Sequence, residues 1–506
     1  MAKTTTKIQR PRKYILVSIL LIGLNFSIGQ TKDQRLDDLE QDIEALMKSY
    51  NAVGLSVSVV EKDEIIFSRG FGYRDLGKKL PVNENTSFPI ASCSKAFTAS
   101  LLGILSSQRK ISLKDRPTLH IPKLQFYNSE MDSSINIEDL LSHKSGLGNL
   151  NGTLVLFPEK ANLNVIEKLK HIKPEGATKD SWIYSNMGYT LAGIIVEQVT
   201  NRSWEENITE SILSPLQMTS SFVDLESMKM NNNYSYGYGL SNGDVKKVLF
   251  ENYHNYKAAG GIRSSARDMG NWMITWLNNG KFNGNQILPG EFVKNATAIH
   301  NIRPGMNEPG AFLFGDGFGW RMESNNGNYK VYHGGNTSGF SSLVLTYPFK
   351  KLGITVLTNQ TNSILPYIIA DIIKNRMLNL NRTEINDYPI RVDDVYTIGQ
   401  INNGLNPENK PTHALSDFEG RYTHKGYGSI VIEHKDGRLF AIFPIYKFFL
   451  EHLYHDVFVM KPTTEISQVM NPEFAMNFKT DNNGEIESFT MNLQSEPVEF
   501  IKQLEK

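Results

Sequence analysis

Apolar positions along the chain change period several times, and each change predicts an element. Between residues 33 and 50, Leu36, Leu39, Ile43, Leu46 and Met47 recur at helical spacing and predict an amphipathic helix. Gly54 follows its end. Leu55-Ser-Val-Ser-Val-Val then alternates, Glu61-Lys-Asp-Glu turns, and Ile65-Ile-Phe returns, which reads as a β-hairpin. Pro89 discourages helix up to that point. After Ser92, helical spacing resumes at Ala96, Ala99, Leu102 and Leu105. Residues 135–146 predict a short helix that Gly146 ends, and residues 181–202 a loop entering an apolar helix near Met187. In 257–279, Gly260 and Gly261 suggest a backbone closed to bulkier residues, and Ser265 with Asp268 a capping box for a helix through Leu277. Gly315–Trp320 is a glycine-rich turn before a strand. Residues 329–360 read as three strands, and Leu365–Leu378 as a helix with Pro366 in its first turn. A strand pair ahead of a long buried helix, with no βαβ repeat, predicts an α+β fold.

Beyond Leu380 the character changes. Residues 381–414 are rich in Asn, Asp, Gly and Pro, including Pro389, Pro407 and Pro411, and read as a linker. From Leu415 onwards short strands take over. Gly428–Glu433 and Leu439–Phe443 flank Asp436-Gly437, and Phe474–Phe478 and Ile486–Leu493 flank Asn482-Asn-Gly484. Both are hairpin signals, so 415–506 reads as a separate small antiparallel β domain. At the other end, Lys3, Lys7, Arg10, Arg12 and Lys13 precede an apolar run, Tyr14 to Leu24, that is short for a bilayer span. Ser27-Ile28-Gly29 then offers the small residues a signal peptidase reads. Residues 1–29 are expected to be a cleaved signal peptide, with a retained N-terminal anchor as the alternative, and 30–380 the main domain. The mature protein would then be exported, periplasmic or extracellular, with no stable membrane insertion. No cysteine closely follows the apolar run, which excludes a lipoprotein anchor.

The chain has 506 residues, 40% of them hydrophobic, which predicts one large domain plus a small one, or two to three domains, with a real core. Its 53 basic and 53 acidic side chains balance, so nothing favours nucleic acid or a polybasic membrane patch as partner. Cys93 is the single cysteine, so no intrachain disulfide forms.

Candidate chemistry centres on Ser92. It sits at a helix start, and Lys95, three residues on, falls on the same helical face. A hydroxyl beside an amine there is a nucleophile with a built-in base. The pattern Ser-x-x-Lys is common, and Ser107–Lys110 repeats it in the polar end of the same helix, where it reads as a solvated terminus. Cys93 points about 100° away from Ser92 on a helix and has no base at helical spacing, so packing suits it better. His143, at a helix end, reads as a capping or packing residue rather than a base. Tyr184 and Asn186, two apart at the mouth of a helix, can face one way. His452 and His455 lack further ligands for a metal, and no cofactor is expected.

Three signals thus stand in one order: Ser92-x-x-Lys95, Tyr184-x-Asn186 and His333-Gly334-Gly335. They lie within longer blocks: Phe88-Pro-Ile-Ala-Ser-Cys-Ser-Lys-Ala-Phe-Thr-Ala, Leu140-Leu-Ser-His-Lys-Ser-Gly-Leu, Tyr184-Ser-Asn-Met-Gly-Tyr, Ser214-Pro-Leu-Gln-Met, Gly260-Gly-Ile-Arg-Ser-Ser and His333-Gly-Gly-Asn-Thr-Ser-Gly-Phe-Ser. In these the chain resembles the penicillin-recognising serine hydrolases, above all the branch with class C β-lactamases, D-stereospecific peptidases and related esterases. The resemblance covers residues 35–380 or so. Residues beyond 415 are similar to the β domain often appended to such hydrolases.

The resemblance implies an antiparallel sheet covered by helices, beside an all-helical lobe, with the site in the groove between. It implies that Ser92 attacks a carbonyl and becomes an acyl-ester, while Lys95 and Tyr184 share the proton traffic. Both would then need surroundings that favour their deprotonated forms. Asn186 would orient Lys95 and hold a substrate amide. The backbone N–H groups of Ser92 and Asn336 would form an oxyanion hole, with His333 and Gly335 beside the substrate. His333 departs from the lactamase pattern, which has a lysine there to hold a substrate carboxylate; a histidine is largely neutral above pH ~6.5. Gly334 replaces a frequent hydroxyl residue and removes another polar contact. The expectation is a secreted serine hydrolase acting on ester or amide bonds of small or peptidic substrates, D-amino-acid peptides among them. A β-lactamase, or a non-catalytic penicillin-binding or cell-wall-binding protein, is the alternative.

Overall fold

Leu36, Leu39, Ile43, Leu46 and Met47 are all buried, as the helical stripe requires. They belong to a short 3₁₀ turn, Gln34–Leu36, and a helix, Leu39–Ser49, separated at Asp38, whose φ is +61°. The computed structural model describes residues 1–2, 33–148, 156–157, 162–241, 244–250, 256–305, 310–381, 409–463 and 474–503. The expected signal peptide and most of the 381–414 linker lie outside them.

Helices Leu39–Ser49 and Leu365–Met377 cover one face of a nine-stranded antiparallel sheet. From one edge the strands run Asn301–Ile302, Ala311–Asp316, Arg321–Asn325, Asn328–Thr337, Phe340–Tyr347, Leu352–Thr358, Gly54–Glu61, Glu64–Asp75 and Leu80–Pro81. The N-terminal hairpin therefore docks beside a strand 300 residues later, with Val57 opposite Val356. Every residue of Leu352–Thr358 is buried, which explains why its apolar residues do not alternate as in a half-exposed strand.

The opposite face meets helix Ala266–Leu277, and beyond it lies a helical lobe. Trp272 of that helix stacks on Phe97, ring centres 3.9 Å apart, and so ties it to helix Ser94–Ser107. That helix is buried over most of its circumference, Ala96, Ala99, Leu102 and Leu105 included, whereas Ser107 and Lys110 are exposed as the reading of a solvated end expected. Two local expectations change. Gly260 ends a single helical turn and Gly261 has φ −86°, so neither uses left-handed backbone; Gly261 is needed for space, since a Cβ would fall 2.8 Å from Lys257 Cα. Only half of the capping box forms. Ser265 Oγ accepts from the Asp268 N–H at 3.1 Å, but the Asp268 carboxylate turns to Ser220 N–H (2.8 Å) and Ser221 Oγ–H (2.7 Å).

The C-terminal strands close into an eight-stranded barrel, from Gly420–His424 round to Val498–Lys502, which pair with each other. Both foreseen hairpins are present, and Asp436 and Gly437 take φ of +52° and +72° in the first turn. The barrel's interior is aromatic, with Phe418, Tyr422, Phe458, Phe478 and Phe489 in contact. Phe157 of the main domain packs against Tyr427, Phe443 and Phe500 and joins the two cores. Lys168 Nζ donates to the Tyr427 carbonyl beside it.

Candidate active site

Ser92 lies in the 3₁₀ turn Ala91–Cys93 that leads directly into helix Ser94–Ser107. The residue before it is strained: Ala91 has φ +45°, a left-handed conformation that a side chain resists. Its neighbour Ile90 is held on three sides. The Ile90 N–H donates to the Ile262 carbonyl (3.0 Å), and the Ile90 carbonyl accepts from Ser342 Oγ–H (2.9 Å) and Cys93 N–H (3.1 Å). This clamp sets Ser92 against the Asn328–Thr337 strand. Gly335 permits the approach, because a Cβ there would fall 2.2 Å from the Ile90 carbonyl oxygen. Gly335→Ala is accordingly expected to lower stability by about 2 kcal/mol or more and to slow acylation together with it. A urea midpoint and a labelling rate check both; an unchanged midpoint refutes the close-approach argument.

Lys95, Tyr184 and Asn186 converge on Ser92. Lys95 is fully buried, and its Nζ lies 3.1 Å from Ser92 Oγ, 2.7 Å from Asn186 Oδ1 and 2.9 Å from the Ala259 carbonyl. Tyr184 donates its O–H to Ser92 Oγ at 2.9 Å. Ser185 is the N-cap of helix Asn186–Thr200, its Oγ accepting from Gly188 N–H, so the loop ends with Tyr184 and Asn186 on either side of the cap.

Burial, reinforced by the Arg321 cation, holds the Lys95 ammonium far below its ordinary range. Burial pushes Tyr184 the other way, to about 12, against the opposing pull of Arg321 and the Ser92 hydrogen bond. The two groups expected to share one property therefore shift in opposite senses: burial favours the neutral amine of Lys95 and the neutral phenol of Tyr184. The hydrogen bonds accommodate the amine. A neutral amine has two N–H groups and one lone pair. Asn186 Oδ1 and the Ala259 carbonyl can only accept, so they take the two N–H groups and leave the lone pair for the Ser92 O–H.

The third motif is placed beside these groups. His333 is buried, 6.4 Å ring to ring from Tyr184. Its Nδ1 lies 2.7 Å from the Gly334 carbonyl, which can only accept, so Nδ1 carries the proton. Burial, with Arg321 and Lys95 adding to it, keeps the ring neutral. Asn336 Oδ1 accepts from Ser341 Oγ–H at 2.7 Å. Gly334 has a steric reason: a Cβ there would fall 2.1 Å from the Tyr367 hydroxyl. Cys93 Sγ sits 3.2 Å from the His333 carbonyl, and burial raises its thiol to about 11. It is expected to resist iodoacetamide in the folded protein and to react once urea unfolds it; native labelling would refute its packing role.

His143 packs, as expected. Its Nδ1 accepts from Ser185 N–H (3.1 Å), and its ring lies 4.5 Å from that of Tyr184. His452 Nε2 spends itself on the His455 carbonyl at 2.8 Å. Among the described residues no cluster of ligating side chains is arranged for a metal ion. Sequence reasoning missed Arg321, Asp316 and Trp182. Trp182 Nε1–H donates to Asp316 Oδ2 at 2.5 Å and anchors the loop two residues before Tyr184. Arg321 Cζ lies 5.3 Å from the Tyr184 ring centre. It follows the Gly315–Trp320 turn directly, and that turn was its only signal.

The chain is similar to several known proteins. The chain is 26% identical to Protein flp of Staphylococcus aureus (strain MRSA252) over 373 residues, 70% of each chain. It is 22% identical to unguisins hydrolase ungD of Aspergillus violaceofuscus (strain CBS 115571) over 448 residues, 80% of this chain and 78% of that one. The octameric penicillin-binding protein homologue from Pyrococcus abyssi shares the fold, with a TM-score of 0.59 at 22% identity over 92% of this chain and 99% of that one. Residues 406–505 match a domain of unknown function, DUF3471. Residues 39–371 match the family model described as Beta-lactamase, and the chain belongs to that family of serine hydrolases.

Proposed function

We propose that this hydrolase cleaves ester or amide bonds of small or peptidic substrates, D-amino-acid peptides among them, through an acyl-enzyme on Ser92. The observation that carries the reading is the hydrogen-bond set of Lys95, whose only remaining valence faces the Ser92 hydroxyl. Lys95 takes the Ser92 proton as Oγ attacks the carbonyl carbon. The oxyanion forms against the backbone N–H groups of Ser92 and Asn336, a contribution of about 3–4 kcal/mol per donor to the transition state. Tyr184 gives its proton to the leaving group and regains one from Lys95, and water then releases the acyl group. Asn186 holds Lys95 and offers its amide to the substrate, while His333 and Gly335 line the cleft. The basic and apolar pattern of residues 1–29 supports export to the periplasm or the extracellular space.

A fluorophosphonate probe tests the nucleophile. It is expected to label Ser92 in the wild type and to leave Ser92→Ala unlabelled with turnover lost. Ser92 caps neither the 3₁₀ turn nor the helix after it, so Ser92→Ala is expected to leave the fold intact. A folded wild type that takes no adduct would leave the non-catalytic reading in its place.

A further inference from the structure

His143 occupies a costly place. It follows the short helix Ile137–Leu141 and its cap Ser142 in the left-handed conformation, φ +61°, where glycine or asparagine is the usual residue. A histidine held there carries strain that glycine would not. Its contacts go to one segment. The His143 carbonyl accepts from Ile183 N–H at 3.0 Å, and ring Nδ1 accepts from Ser185 N–H at 3.1 Å. Between those two bonds, the His143 ring lies 4.5 Å, centre to centre, from that of Tyr184. One buried residue thus grips Ile183, Tyr184 and Ser185 in succession. The grip is anchored in turn: Asn301 Nδ2–H donates to the Ser142 and His143 carbonyls at 3.1 Å each, which ties them to the edge strand Asn301–Ile302 of the large sheet. A backbone N–H can only donate, so Nδ1 is unprotonated and the neutral ring carries its proton on Nε2. Burial, with the Lys95 and Arg321 cations adding to it, favours that neutral ring.

We infer that His143 is the positioning residue of Tyr184: its ring and its Nδ1 fix the loop so that the Tyr184 O–H meets Ser92 Oγ at 2.9 Å. A reacting group displaced by about 1 Å can lose on the order of 100-fold in rate, and the grip protects against that loss. Nothing in this role requires His143 to take up a proton or to touch the substrate. The role rests on Tyr184 as the acid for the leaving group, as proposed above, but is tested apart from it.

His143→Gly and His143→Asn test it, each measured on an amide and on the p-nitrophenyl ester of the same acyl group. Both replacements accept left-handed backbone, so neither strains the turn. Glycine removes the ring and its acceptor, whereas asparagine puts Oδ1, an acceptor bonded to Cγ, where Nδ1 stood. His143→Gly is expected to lower kcat on the amide by about 10- to 100-fold with KM changing much less. On the ester the loss should be far smaller, because p-nitrophenolate leaves without a proton. His143→Asn is expected to restore most of the amide rate. An equal loss on both substrates would overturn the inference, since unfolding or collapse of the whole site lowers both alike. So would a His143→Asn variant as slow on the amide as His143→Gly, because the Nδ1 bond would then contribute nothing. Tyr184→Phe separates the two readings. An amide loss in that variant with none in His143→Gly removes His143 and leaves Tyr184 as the acid; no amide loss in Tyr184→Phe removes both.

Discussion

Lys95→Met is expected to slow acylation of Ser92 by about 10³- to 10⁴-fold while the fold survives. The catalytic loss follows from the proton inventory. Without the amine lone pair, the Ser92 hydroxyl retains only the Tyr184 O–H, which is itself a donor, so nothing accepts its proton. The stability change is the balance of two opposed terms. Methionine leaves Asn186 Oδ1 and the Ala259 carbonyl short of a donor, at about 1–3 kcal/mol each. It also removes an amine that burial opposes in its charged form. That second term depends on pH, and its sign is fixed. The folded Lys95 has a value below the 10.5 of the unfolded chain, so between the two the unfolded state binds more protons and stability rises with pH. Across that window the wild type should gain on Lys95→Met by up to about 1.4 kcal/mol per pH unit, and below the folded value the difference should be flat. Urea unfolding of both proteins from pH 7 to 10 measures this; a difference independent of pH throughout would mean that Lys95 stays charged when buried.

The pairing of Ser92 with Lys95 was legible because the 3₁₀ turn Ala91–Cys93 runs directly into helix Ser94–Ser107, where short spacing in sequence is still spacing in space. Tyr184 and Asn186 were legible for a similar reason, since a single N-cap at Ser185 sets the positions of both. Arg321 was not, because its place over Tyr184 depends on the pairing of Arg321–Asn325 with Asn328–Thr337, and an arginine opening a strand reads as a solvated end. Closure of the barrel was hidden likewise. The hairpin turns are local, but the pairing of Thr423 with Ile501 spans 78 residues and leaves no trace in any window. Gly260 and Gly261 mark a further limit. A glycine pair looks the same in sequence whether it supplies positive φ or merely space. The direction of the Tyr184 shift was out of reach too, because it depends on burial against His143 and His333, which come from two other blocks.

Tyr184→Phe separates the two remaining assignments of the proton path. With Tyr184 as the acid that protonates the leaving group, the change is expected to lower kcat by about 10²- to 10⁴-fold for an amide or an alkyl ester. A p-nitrophenyl ester, whose leaving group needs no proton, should lose much less. The pH profile adds an independent sign. kcat/KM should rise as pH climbs through the depressed Lys95 value, since only the neutral amine accepts the Ser92 proton. It should not fall again before about pH 11, because Tyr184 keeps its proton until about 12. The rising limb should survive in Tyr184→Phe, as it belongs to Lys95. Were a Tyr184 phenolate the base instead, activity would follow a group near 12, climbing to the alkaline limit of the assay, and Tyr184→Phe would abolish that limb. The nearby Arg321 cation stabilises the phenolate that forms while Tyr184 is between protons, which eases donation without requiring the ring to be ionised at rest. Amide turnover that is indifferent to Tyr184→Phe would remove Tyr184 from the proton path altogether and leave Lys95 to serve both steps.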